Sequence, residues 1–79
     1  MTLIEIARIY TDLVLIDNSI PESEHIAKDG IGELRTKYHQ MFMDKLEEEG
    51  IAFSDRFDAL NRAFELVKSE SAQVAQTTA

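Results

Sequence analysis

The sequence predicts an all-α fold, a small helical bundle, on three observations. Apolar residues recur at helical spacing in three long stretches. Clusters of Pro, Gly, Asn and Ser separate those stretches. The one run that reads equally well as a strand, Leu13–Ile16, has nothing else in the chain to pair with. The predicted architecture is a C-terminal antiparallel helical hairpin with an N-terminal helix packed across it or exchanged with a second chain. Residues 1–71 form the single domain, and residues 72–79 form a polar tail, rich in Ser, Gln, Ala and Thr, that frays or stays disordered.

The first helix is expected over Leu3–Asp17. Thr2 and Glu5 have the spacing of a capping box, in which the hydroxyl takes the amide of the third helical residue and the carboxylate reaches back. At 100° per residue Leu3, Ile6, Tyr10, Leu13 and Val14 share one face, Ile9 and Ile16 widen it, and Ile4 and Leu15 fall on the far flank. Only Glu5, Arg8, Thr11 and Asp12 mark a polar strip. A helix apolar around most of its circumference must be covered on several sides, which two further helices in 79 residues can hardly do. The expectation is a homodimer, with Ile9, Leu13 and Ile16 at its interface.

Asp17-Asn18-Ser19-Ile20-Pro21 ends this helix, and Pro21 can open a short second one that stops at Gly30. The nearby Gly32 then marks a bend. The central helix runs from Ile31 or Glu33 to Glu49, with Ile31, Leu34, Tyr38, Met41, Phe42 and Leu46 on its core face. Gly50 is placed to supply φ > 0 just past its end, with Ile51 closing on Leu46 as in a Schellman motif. The last helix starts near Ser54, a good cap, followed by Asp55. Phe53, Phe57, Leu60, Phe64, Val67, Ser71 and Val74 repeat at steps of four and three, a packing seam. Ala59, Ala63 and Leu66 form a second, smaller stripe beside it.

The segment Gly50-Ile51-Ala52-Phe53-Ser54-Asp55-Arg56-Phe57-Asp58 resembles a short stretch of the theta-type small accessory subunits of bacterial replicative polymerases. In that family the stretch lies near the N-terminus, whereas here it follows the central helix. The likeness covers nine of the 79 residues and is read as chance convergence on a capped helical hairpin, so nothing is carried over from it.

Composition excludes several function classes. The net charge is −7, with 15 acids against 8 bases and no three bases adjacent, so the chain lacks the clustered cations that nucleic-acid binding requires. There is no cysteine, hence no disulfide and no thiolate metal site. The first residues have no basic region and are interrupted by Glu5, Arg8 and Asp12, unlike a signal peptide. No apolar run approaches the roughly 20 residues of a membrane span. A cytoplasmic location is expected, with no membrane, cofactor or small-molecule substrate.

Catalytic motifs are absent: there is no nucleophile elbow, Gly-rich phosphate loop or zinc-protease motif, and a helical chain this short does not easily enclose a pocket. His39 falls on the polar side of the central helix, where a solvated histidine is expected. The Glu22-x-x-His25 pair has a spacing used in dimetal bundles, but the inward carboxylates such sites need are missing. Met43 falls off the core face, as a flanking methionine or an adaptable contact.

The acidic cluster around the hairpin turn, Asp44, Glu47, Glu48, Glu49, Asp55 and Asp58, is opposed only by Lys45 and Arg56. Glu47–Glu49 occupy a helix C-terminus, where the macrodipole already carries partial negative charge and stability alone would favour Lys or Arg. These six acids and Met43 are the candidate partner-binding residues. The expected function is a non-enzymatic interaction module, an adaptor, inhibitor or modulator such as a phage or plasmid accessory protein, whose partner carries a basic surface. The alternatives are an acidic nucleic-acid mimic that binds a basic protein, and a dimeric helical metal-binding protein.

Overall fold

A computed structural model describes residues 1–78, with side chains through residue 71. Three α-helices and no strands occur among the described residues: α1 Leu3–Ser19, α2 His25–Glu48 and α3 Arg56–Thr78. The expected tail, 72–79, falls where side chains lie outside the described residues, and Ala79 lies outside them altogether.

The capping box at α1 forms as its spacing predicts. Thr2 Oγ1 accepts the Glu5 amide at 3.3 Å, and the Thr2 amide donates to Glu5 Oε1 at 3.2 Å. The helix continues past Asp17 to Ser19, whose hydroxyl donates to the Ile16 carbonyl at 2.8 Å. Pro21 then sets the end, because the residue before a proline is pushed out of the α region, and Ile20 is extended at φ −80°, ψ 127°.

The short helix expected from Pro21 to Gly30 does not form, nor does the bend at Gly30 and Gly32. Pro21–Glu24 is a turn closed by the Glu24 amide on the Pro21 carbonyl at 3.0 Å, and α2 runs unbroken through both glycines. Glycine weakens a helix without forbidding it. Here tertiary ties straddle the weak stretch: Lys28 and Arg35, two turns apart on one face, both reach the Asp17 carboxylate, at 3.5 and 2.7 Å. Lys28 Nζ also donates to the Asp17 carbonyl at 2.7 Å. Asp17 thereby fastens the C-terminal part of α1 to the glycine-bearing part of α2.

The far end of α2 closes as predicted. Gly50 adopts φ 73°, its amide donates to the Glu47 carbonyl at 3.1 Å, and the Ile51 amide donates to the Leu46 carbonyl at 2.9 Å. These are the two hydrogen bonds of a Schellman motif. The α3 cap is Asp55 rather than Ser54. Asp55 Oδ1 accepts the Asp58 amide at 2.9 Å, while the Asp58 carboxylate accepts the Ser54 amide at 2.9 Å.

The core draws on all three helices: Ile6, Ala7, Tyr10 and Val14 from α1, Phe42, Met43 and Leu46 from α2, and Ala59 and Ala63 from α3. α1 meets both other helices, and its contact with α2 is the most extensive of the three. Two faces depart in part from expectation. On α2 Phe42 and Leu46 are buried and Tyr38 and Met41 pack half-buried against the core as expected, but Met43 joins the core and Leu34 is exposed. On α3 the small stripe faces inward, with Ala59 and Ala63 fully buried, and Phe57 of the predicted seam stands 75% exposed. Alanines let the α3 backbone approach the core closely, and Leu60, Phe64 and Val67 then pack beside it half-buried.

Candidate functional site

The acidic residues divide into two groups once their partners are known. Asp55 and Asp58 build the α3 cap, and Asp58 also meets Arg62 at 3.4 Å. The Ser54 amide and the Arg62 guanidinium hold the Asp58 carboxyl below its usual pKa. Asp44 accepts the Gln40 side-chain amide at 2.9 Å. Glu47, Glu48 and Glu49 remain in solvent on the last turn of α2 and its cap. Lys45 approaches Glu48 at 3.4 Å and Glu49 at 4.0 Å, and Glu47 has no ion pair among the described residues. Met43 does not join them at the surface, being 9% exposed within the core.

The residues singled out for self-association are also separated by burial. Leu13 is buried within its own chain and Ile9 is half-buried. Ile16 is 45% exposed and its neighbour Leu15 58%. His25 opens α2 and Glu22 lies in the turn before it, where its carboxylate is 3.9 Å from Lys28. Among the described residues no three His, Cys, Asp or Glu side chains gather as a metal site would require. None of the described helices is long and apolar enough to cross a membrane.

A second site was not anticipated. Tyr10 from α1, Arg35 and His39 from α2, and Arg56, Phe57 and Leu60 from the start of α3 line a cavity of about 240 Å³. The imidazole of His39 stacks on Tyr10 with ring centroids 4.8 Å apart, and Phe42 lies on Tyr10 at 6.2 Å. His39 is therefore half-buried between helices, not solvated on a polar face. The Tyr10 hydroxyl and His39 Nε2 are buried and have no hydrogen-bond partner among the described residues. Burial raises the Tyr10 pKa, opposed by the charges of Arg35 and Arg56 and by the approach of the Arg35 guanidinium to the hydroxyl, which leaves the hydroxyl proton itself without an acceptor. Burial lowers that of His39; the Arg56 backbone opposes this, and the Arg56 and Arg35 charges add to it. The imidazole is thus kept neutral near pH 7.

Spacing alone held a signal for this second site. Arg35, His39, Phe42, Met43 and Leu46 follow the helical steps of four, three, one and three, an alternative inward face. A tyrosine on the core face of α1 also requires a partner for its hydroxyl. The positions of Arg56 and Phe57 had no such signal, because they depend on where α3 begins.

No family model matches the chain, and no curated protein or solved structure is similar enough to it to be compared.

Proposed function

We propose that the chain is a cytoplasmic, non-enzymatic protein-interaction module that docks a basic partner surface on the acidic end of α2. The observation that carries this is the contrast among its carboxylates. Asp44, Asp55 and Asp58 accept hydrogen bonds that cap or brace the helices, whereas Glu47 has no ion pair among the described residues and Glu48 and Glu49 share only Lys45, all three where the helix dipole disfavours them. Charge kept at a cost to stability suits long-range attraction, which speeds encounter with an oppositely charged surface.

In this arrangement α2 and α3 form an antiparallel hairpin around the Schellman turn, with α1 across it. The outer side of α1 would meet a second copy through Ile16 and Leu15, with Ile9 at the margin, since exposed large apolar side chains favour burial in an interface. Leu13 would support that surface from within.

A tagged chain used to capture partners from its native host tests the docking proposal. The expected partner is a protein with a basic face, retained at low salt and released as salt rises. Release of that partner by added nucleic acid would make the acidic turn a nucleic-acid mimic. Capture that is indifferent to salt, or no specific partner at all, would refute docking through charge.

A further inference from the structure

The cavity at the junction of α1, α2 and α3 gathers unused hydrogen-bonding capacity. The Tyr10 hydroxyl and His39 Nε2 are the buried side-chain atoms without partners among the described residues, and their rings are stacked on each other beside one cavity. Native proteins rarely leave such atoms unmet, so two at one place call for a ligand or water. Tyr10 is fully buried, and its hydroxyl can donate or accept. A neutral imidazole has one N–H donor, and the Arg56 backbone already draws on that of His39.

The charges around these atoms select the ligand. Arg35 and Arg56 both line the cavity, and no carboxylate does. Arg35 already holds Asp17 at 2.7 Å, but a guanidinium has five N–H donors and can serve a second acceptor. Arg56 makes no ion pair among the described residues. Two cations with two neutral polar groups suit an anion that accepts several hydrogen bonds. Phe57, Leu60 and the stacked rings form the remaining walls, so the anion should carry an apolar body. At about 240 Å³ the cavity falls below the roughly 300–1,000 Å³ of drug-sized sites, which limits that body to a few carbons or one ring.

We propose that this cavity binds a small organic carboxylate, its oxygens held by the Arg56 guanidinium and the Tyr10 hydroxyl, and its apolar part against Phe57, Leu60 and the stacked His39 ring. Phosphate would match the charge but waste the apolar walls. Water alone could satisfy Tyr10 and His39, and a titration separates that outcome from a bound anion. This site is independent of the acidic end of α2, so either proposal can fail without the other.

The test is an NMR titration of the full ¹⁵N-labelled chain with phenylacetate, its neutral amide phenylacetamide, and inorganic phosphate. Phenylacetate is expected to shift resonances of Tyr10, His39, Arg56 and Phe57 saturably, with Kd about 1 mM or tighter. The amide and phosphate should each bind about tenfold or more weakly by comparison, since a hydrogen bond to a charged group or the apolar contact is lost. Tyr10→Phe keeps the ring and Arg56→Gln alters an exposed side chain, so both should fold, and each should weaken phenylacetate about tenfold. A short peptide ending in phenylalanine with a free carboxylate distinguishes the source of the acid. Tighter binding than phenylacetate at the same resonances assigns the chain end of a partner protein, and weaker binding assigns a free acid. No saturable shift with phenylacetate or the peptide, equal affinity for the amide, or wild-type affinity in both variants would overturn the proposal and leave the cavity to water.

Discussion

The imidazole of His39 lies on the ring of Tyr10, centroids 4.8 Å apart and planes 20° from parallel, and each ring carries a buried polar atom without a partner. The stack joins α1 to α2 through dispersion and apolar burial while leaving its polar edges unmet. Tyr10→Phe keeps the ring and removes the unpaired hydroxyl. It is expected to raise stability by about 1 kcal/mol, seen as a higher urea midpoint at unchanged slope. A fall of the same size would mean that the hydroxyl is satisfied in the folded chain.

The same stack makes stability depend on pH. Burial holds the His39 pKa below its usual 6.5, so between the folded value and 6.5 the unfolded chain binds more protons than the folded one. Stability should therefore fall as pH drops below 6.5 and through the folded pKa. His39→Phe should flatten that part of a plot of urea midpoint against pH. Asp17, held below its usual 3.8 first by the Arg35 hydrogen bond, adds a separate loss at more acid pH that His39→Phe leaves in place. An unchanged profile in His39→Phe would show that His39 protonates equally well folded and unfolded.

The three glycines should respond in opposite directions. Gly30 and Gly32 lie inside α2 with open space where a Cβ would stand, so alanine at either should stabilise by roughly 0.5–1 kcal/mol. Gly50 also has open space, but its φ of 73° is unfavourable to any Cβ, and Gly50→Ala should cost about 1 kcal/mol. Chemical denaturation of the three variants measures this. A destabilised Gly32→Ala would indicate the bend that the unbroken α2 lacks.

The inward face of α3 is tested by contrasting substitutions. Ala63 is fully buried, and Ala63→Leu should destabilise by about 1–3 kcal/mol through overpacking. Phe57 is largely in solvent, and Phe57→Ser should change stability by less than about 0.5 kcal/mol. The reverse ranking would place the phenylalanine seam, not the alanine stripe, against the core.

Features determined by a few adjacent residues were legible before any coordinates. The Thr2–Glu5 box and the Gly50 turn with Ile51 over Leu46 depend on local hydrogen bonds and on one residue able to adopt φ > 0. Features decided by packing between helices were not. α2 carries two overlapping apolar rows, and only the position of α1 selects Met43 over Leu34 for burial. On α3, the steps of four and three placed Phe57 in the packing seam, whereas close approach favours the alanines. The Gly30–Gly32 stretch looked like a break because its supports, Lys28 and Arg35 on Asp17, lie across the interface with α1. The same non-locality hid the second site: His39 and Tyr10 come from different helices, and the cavity beside them exists only once α3 starts at Arg56.

Docking of a basic partner on the acidic end of α2 is tested most directly by Glu47→Lys, because Glu47 has no ion pair among the described residues to lose. Lysine at a helix C-terminus complements the macrodipole, so the variant should gain about 0.3–1 kcal/mol at low salt. Melting and partner capture are measured side by side on the wild type and the variant. The predicted result is a higher Tm together with weaker capture, with the loss of capture shrinking as salt rises. A variant that melts higher and still captures every partner at wild-type yield would contradict docking and leave Glu47–Glu49 with a role in solubility alone.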